Sequence, residues 1–148
     1  MSLEIQLRNA VDADIPFLLS LRNATMNDYL EEAGIPTDEK SHLIRIQYRF
    51  DDAQIVCHAD KPIGLFKYYV DDNGWHVTQI QILPTYQGNG IGATLIKNLQ
   101  QQASEKQSTV TLGVLKSNPA LRLYQKLGFI IIDENDEEFL MRYESVTD

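Results

Sequence analysis

The 148 residues suit one domain with a hydrophobic core and leave little room for a second, so a single domain over 1–148 is expected. A net charge of −8 argues against a nucleic-acid partner, and a lone cysteine, Cys57, excludes an internal disulfide and points to a reducing compartment. Residues 1–20 carry Glu4, Arg8, Asp12 and Asp14, unlike a signal-peptide core, and no run approaches the ~20 apolar residues of a membrane span. A cytoplasmic protein with no membrane partner is expected.

Leu3 to Leu7 alternates apolar and polar residues, as a half-buried strand does. Asp12 or Asp14 is placed to cap a helix that turns Ile15, Phe17, Leu18 and Leu21 inward, with Pro16 in the first turn where its missing N–H does no harm. A second helical stretch, Thr25 to Ala33, should stop at Gly34-Ile35-Pro36, and Ser41 to Phe50 reads as helical again. Gln54 to His58 and Pro62 to Val70 read as strands, the first holding Cys57 as a buried, inert thiol. The sequence Asp71-Asp72-Asn73-Gly74 is a hairpin signal, followed by a strand from Trp75 to Leu83.

After Pro84 come three alternating glycines, Gly88, Gly90 and Gly92, and then a helix with Ile91, Leu95, Ile96, Leu99 and Ala103 on one face. Thr109 to Leu115 is a strand rich in Thr, Val and Leu. Asn118 and Pro119 open a short helix that Gly128 closes. Phe129 to Ile132 and Glu138 to Tyr143 are two strands around the acidic turn 133–137. The pattern is one mixed α/β domain.

Charge is unevenly spread along this chain. Residues 87–127 hold five bases against one acid, while the rest holds eight bases against 20 acids. The locally positive segment begins with the glycine loop, which fits an anionic ligand there and leaves a cationic second ligand to the acidic remainder. A loop of this kind brings backbone N–H groups close to phosphates. It is not a nucleotide P-loop, because Gly92-Ala93-Thr94 stands where Gly-Lys-Ser/Thr is needed. Gly88-x-Gly90-x-x-Ala93 matches a dinucleotide fingerprint, but the next strand, Val110 to Val114, has no acid to hold a ribose.

The wider stretch IQILPTYQGNGIGATLI resembles the signature of the GNAT superfamily of N-acetyltransferases: an apolar strand, a proline, then Gln87-Gly88-Asn89-Gly90-Ile91-Gly92. A second block, VLKSNPALRLYQKLGF from Val114 to Phe129, is similar to the family's downstream motif of Asn, a short helix, Leu-Tyr and Leu-Gly-Phe. The resemblance is specific over residues 75–132 and architectural before that. It implies an α+β fold with a mixed, mostly antiparallel sheet of six to seven strands, flanked by helices and splayed at the acetyl-coenzyme A site. Helices within about residues 12–50 would line the acceptor site.

The ligand so implied is acetyl-coenzyme A, whose internal diphosphate needs backbone amides rather than a lysine or a metal. Its binding residues would be Ile80, Gln81 and Ile82, through main-chain pairing with the pantetheine arm, then Gln87, Gly88, Asn89, Gly90, Ile91, Gly92 and Ala93 at the diphosphate. Asn118 and Tyr124 would touch the coenzyme too, Tyr124 as general acid to the departing thiolate. Read from spacing alone, Tyr124 lies on the apolar stripe Ala120, Leu123, Tyr124, Leu127, where a core tyrosine is the usual occupant.

The general base is open. Some members carry a glutamate on the strand position that here is Gly113, which can abstract nothing. Glu31, Glu32, His76 or a base acting through water are the substitutes, Glu32 and His76 foremost. His42 and His58 have no supporting motif, and no cluster of metal ligands is present. The expected activity is acetyl transfer to a primary amine, from a small molecule or a peptide. The competing expectation is a coenzyme A sensor without turnover. The closing strands, with Phe139, Leu140 and Met141, offer a surface for a homodimer.

Overall fold

A computed structural model describes residues 4–145. Its elements are β1 (Gln6–Asn9), α1 (Ile15–Glu32), α2 (Glu39–Gln47), β2 (Ala53–His58), β3 (Lys61–Asp71), β4 (Gly74–Ile82), α3 (Ile91–Glu105), β5 (Thr109–Leu115), α4 (Ala120–Lys126), β6 (Ile130–Glu134) and β7 (Glu138–Glu144). The seven strands form one sheet in the order β1-β2-β3-β4-β5-β7-β6. Strands β4 and β5 are parallel, whereas β1/β2, β2/β3, β5/β7 and β6/β7 are antiparallel. This is the mixed, mostly antiparallel sheet with helices that the sequence leads one to expect. The chain divides into two compact units, residues up to 67 with 79–92, and residues 68–78 with those from 93 onward.

The first unit is organised by apolar burial. Leu18 and Leu21 of α1, Ile46 of α2, Ala53, Ile55 and Cys57 of β2 and Leu65 of β3 make its core, and Cys57 is buried as its apolar surroundings imply. Its polar interior is tied off by specific bonds. Lys67 of β3 is fully buried and donates through Nζ to the carbonyls of Arg45, Ile46 and Tyr48 at 3.3, 3.0 and 2.6 Å, closing the C-terminal end of α2. Arg22 of α1 donates to His42 Nδ1 of α2 at 2.9 Å, and His42 Nε2 meets Asn27 Oδ1 at 2.8 Å. Since a guanidinium only donates, His42 is the Nε2–H tautomer and neutral. Burial, with Arg22 alongside, holds its pKa below the usual value.

Several element boundaries differ from the sequence expectation, each with a hydrogen-bonding reason. The helix from Ile15 runs unbroken to Glu32, and within it Thr25 returns its hydroxyl to the Leu21 carbonyl and Asn27 bonds Asn23, so both polar side chains are met along the helix. Helix α2 starts two residues early on the Asp38 cap and ends at Gln47 rather than Phe50, where Lys67 has taken its last carbonyls. Asp14 precedes α1 but does not cap it with its side chain. Its carboxylate instead receives a bidentate pair from Arg8, both contacts 2.8 Å, and the Val11 amide. The first strand is found at Gln6–Asn9; Leu3 lies outside the described residues.

The second unit is built on β5 and β7. Val110, Leu112 and Val114 of β5 are buried along one strand face, as are Met141 of β7 and Leu95, Ile96, Leu99 and Ala103 of α3. Gln100 of α3 donates to the Leu127 carbonyl at 2.8 Å, which fixes the end of α4. Tyr124, Phe129 and Tyr143 form an aromatic run with ring centroids 5.9 Å apart at each step.

Candidate active site

In the first unit the chain leaves β4 at Ile82 and turns through Pro84–Tyr86 into the glycine loop. The loop is tied at its base by two side chains. Gln87 Nε2 donates to the Ile82 carbonyl at 2.9 Å and Asn89 Nδ2 to the Tyr86 carbonyl at 3.0 Å. Gly88 and Gly90 have φ of 83° and 74°, the left-handed region that a Cβ disfavours, and a Cβ at either would face open space. Gly92 has no such φ; a Cβ there would make ordinary contact with Ile80 Cδ1 at 4.0 Å.

The amides of Gly88, Gly90 and Ile91 donate to no acceptor among the described residues. The first turn of any helix leaves amides unmet, and the 15-residue α3 adds its dipole with no acidic side chain in that turn. Such an arrangement suits an anion. Of the loop residues, Gln87 is tied to Ile82 of the preceding strand and Gly92 faces the Ile80 side chain. One of the main-chain groups in that strand segment, the Ile82 carbonyl, is already taken by Gln87.

Strands β4 and β5 pair over three positions only. Paired positions are Trp75–Val110, His76–Thr111 and Val77–Leu112, and there the ladder stops, although β4 runs on to Ile82 and β5 to Leu115. Backbone groups past that point are not spent on this ladder. Gln79, the second residue beyond it, is buried with neither its amide nitrogen nor its oxygen bonded.

In the second unit Asn118 Oδ1 accepts the Ala120 amide at 2.9 Å, so the helix-capping reading of Asn118 holds and its Nδ2 is left to donate elsewhere. Tyr124 is buried, and burial alone pushes its phenol up to about 12. His76 has both ring nitrogens engaged: Nδ1 to Thr111 Oγ1 at 2.6 Å and Nε2 to Asp71 Oδ1 at 2.8 Å. A carboxylate only accepts, so Nε2 carries a proton, and Nδ1 and the Thr111 hydroxyl share the second bond. The bond from His76 holds the Asp71 carboxyl below its usual range. Glu32 is exposed at the end of α1.

Two residues of interest carry no sequence signal. Gln79 is one, its orphaned amide invisible without burial. The other is Glu138, whose carboxylate lies 3.1 Å from the place a Cβ on Gly113 would occupy. The described residues contain no group of three or more His, Cys, Asp or Glu able to hold a metal, and no helix long and apolar enough to cross a membrane.

Comparison with known proteins gives a consistent set of likenesses. The family model described as "Acetyltransferase (GNAT) domain" matches residues 40–142, more than half of the chain. A [ribosomal protein bS18]-alanine N-acetyltransferase of Haemophilus influenzae is 49% identical over 55 residues, covering 36% of this chain and 38% of that protein. The match thus spans well under half of that relative's length. A spermine/spermidine N(1)-acetyltransferase of Bacillus subtilis is 28% identical over 132 residues, 73% of this chain and 86% of its own. The crystal structure of a PaiA N-acetyltransferase from Thermoplasma acidophilum in complex with coenzyme A shares the fold at a TM-score of 0.73. It is 18% identical and covers 97% of this chain and all of its own.

Proposed function

The chain belongs to the GNAT acetyltransferase family, and from that premise we propose that it moves an acetyl group from acetyl-coenzyme A directly to a primary amine. The observation that carries this reading is the glycine loop, whose Gly88, Gly90 and Ile91 amides lack acceptors at the start of α3. Diphosphate oxygens would supply them without help from a lysine or a metal. Among its relatives, one is named for an alanine amine and one for a polyamine.

The chain's own groups then take these roles. The loop from Gln87 to Ala93 holds the diphosphate through its backbone. Main-chain groups of Ile80, Gln81 and Ile82 hold the pantetheine arm as an added strand would; with the Ile82 carbonyl bonded to Gln87, the remaining groups of that segment do this. Asn118 donates from Nδ2 to the coenzyme while its oxygen keeps α4 capped.

Tyr124 takes the general-acid position, as a hydrogen-bond donor to the departing sulfur. At about 12 its phenol stays protonated whenever a coenzyme thiolate forms. A thiol titrates near ~8.5, so full transfer from the tyrosine is uphill. Its contribution is a hydrogen bond to the sulfur, at the lower end of the ~10²–10⁴-fold range of acid–base catalysis. Of the two bases expected from sequence, His76 would act through Thr111, whose hydroxyl is bonded to its Nδ1. Glu32 would act from solvent.

The acceptor is proposed to be cationic, because acids outnumber bases 20 to eight outside residues 87–127. A cytoplasmic setting follows from the same reading, since it supplies acetyl-coenzyme A. The strand order sets β7 between β5 and β6 and buries Met141, so Phe139, Leu140 and Met141 do not form the sheet end expected to pair across a dimer; a homodimer is proposed instead at the end formed by β6, where Ile130, Ile131 and Ile132 are exposed. Calorimetry with acetyl-coenzyme A, coenzyme A and NAD tests the ligand, and thiol release across a panel of primary amines tests turnover. Tight coenzyme binding without thiol release from any amine contradicts the transferase reading and leaves a sensor.

A further inference from the structure

Position 113 of β5 is a glycine, and the space that leaves is filled from the neighbouring strand. A Cβ there would sit 3.1 Å from Oε2 and 3.8 Å from Cδ of Glu138. The register sets Glu138 opposite Leu115 and Leu140 opposite Gly113, so the Glu138 side chain leans two residues along β5 to reach this place. It is half-buried, and no ion pair or side-chain hydrogen bond is made by its carboxylate among the described residues. The nearby cation Lys116 is engaged instead by Glu134 at 2.6 Å. Alternation puts Gly113 on the strand face of Thr111, the partner of His76. It is also the first residue of β5 beyond the ladder with β4, whose last pair is Val77–Leu112.

An unpaired, half-buried carboxylate therefore stands beside the point where the β4–β5 ladder ends, on the strand face of Thr111. We infer that Glu138 is the general base that takes the proton from the acceptor nitrogen. This rests on the acetyl-transfer reading. It displaces His76, whose two ring nitrogens are both bonded, and Glu32, which is exposed.

The step balances as follows. A neutral amine forms the C–N bond to the thioester carbonyl, and its nitrogen gains positive charge and acidity. One N–H proton passes to the Glu138 carboxylate, directly or through one water. The C–S bond breaks with its electron pair on sulfur, which the Tyr124 hydroxyl stabilises by a hydrogen bond and which takes up a proton from solvent to leave as the free thiol. Glu138 returns its proton to solvent, so one amine and one thioester give one amide and one thiol.

The test uses the full chain with acetyl-coenzyme A, and spermidine and an alanine-initiated peptide as probe amines. Glu138→Gln should lower kcat by about 100-fold or more, while calorimetric affinity for acetyl-coenzyme A stays within about twofold. Moving the carboxylate across, with Gly113→Glu on a Glu138→Ala background, should recover at least about tenfold of that loss. Glu138→Gln turning over within about threefold of the native chain overturns the assignment. So does a kcat loss accompanied by loss of coenzyme binding, or one that the transplanted carboxylate does not recover. A native chain that binds the coenzyme yet releases no thiol with either amine overturns the transferase reading, and this role with it.

Discussion

The glycine loop and the end of α2 treat backbone polar groups in opposite ways within one unit. At α2 side chains meet both ends: Lys67 reaches three carbonyls, and Asp38 accepts the Ser41 amide at the other terminus. At the loop, side chains secure only the base, while the amides of Gly88, Gly90 and Ile91 are left without acceptors. Unmet donors in a folded chain cost stability unless water or a ligand meets them. The contrast separates scaffold from site: where satisfaction is complete the chain is being held in shape, and where it is withheld a ligand is expected.

That contrast can be broken by experiment. Removing the scaffold bond should have the largest effect. Lys67→Met leaves three C-terminal carbonyls of α2 without their donor, and should cost about 2–4 kcal/mol of stability in urea unfolding, with acetyl-coenzyme A affinity nearly unchanged. Desolvation lowers the Lys67 pKa to about 8 from an ordinary 10.5. Between those values the unfolded chain holds more protons than the folded one. The native protein should therefore gain stability as pH rises through that window, and the Lys67→Met variant should lose this gain.

Gly90→Val should behave in the reverse sense. A β-branched residue at φ of 74° is strained by about 1–3 kcal/mol. If the loop shifts to relieve that strain, coenzyme affinity should fall by roughly 10–100-fold on the same scale, read by calorimetry, while most of the urea stability remains. A variant that lost stability and kept affinity would collapse the distinction.

Smaller effects sharpen it. His42 is a scaffold group kept neutral, with its folded pKa below 6.5. The unfolded chain therefore takes up the proton first on acidification, and stability should decline as pH falls below about 6.5. Asn in place of His42 should flatten that decline in thermal unfolding. Gln79→Leu removes a buried amide with no partner. It should leave stability unchanged or raised by up to about 1 kcal/mol, whereas a fall of that size would mean the amide is bonded in solution.

How much of this could be read beforehand depends on whether the signal is local. The loop is local: Gly88, Gly90 and the α3 pattern lie side by side in sequence, and the strand before them and the Asn118 cap are equally contiguous. The unbroken α1 was harder, because Thr25 and Asn27 look like breaks until their bonds one turn back are seen. The scaffold bonds are non-local. Lys67 lies about 20 residues from the carbonyls it caps, and a lysine in a strand pattern reads as exposed until packing buries it. Glu138 is hidden for the same reason. Its nearness to Gly113 is a matter of register between β5 and β7, and a carboxylate beside an acidic turn gives no hint of it.

The central claim is that loop amides at the start of α3 bind the diphosphate of the acetyl donor. Titrating the isotopically labelled protein with acetyl-coenzyme A and following backbone amide resonances tests it residue by residue. The amides of Gly88, Gly90 and Ile91 should move downfield and saturate together with the calorimetric binding curve. If those three stay still while resonances elsewhere follow the same curve, the donor binds at another place and the account is wrong.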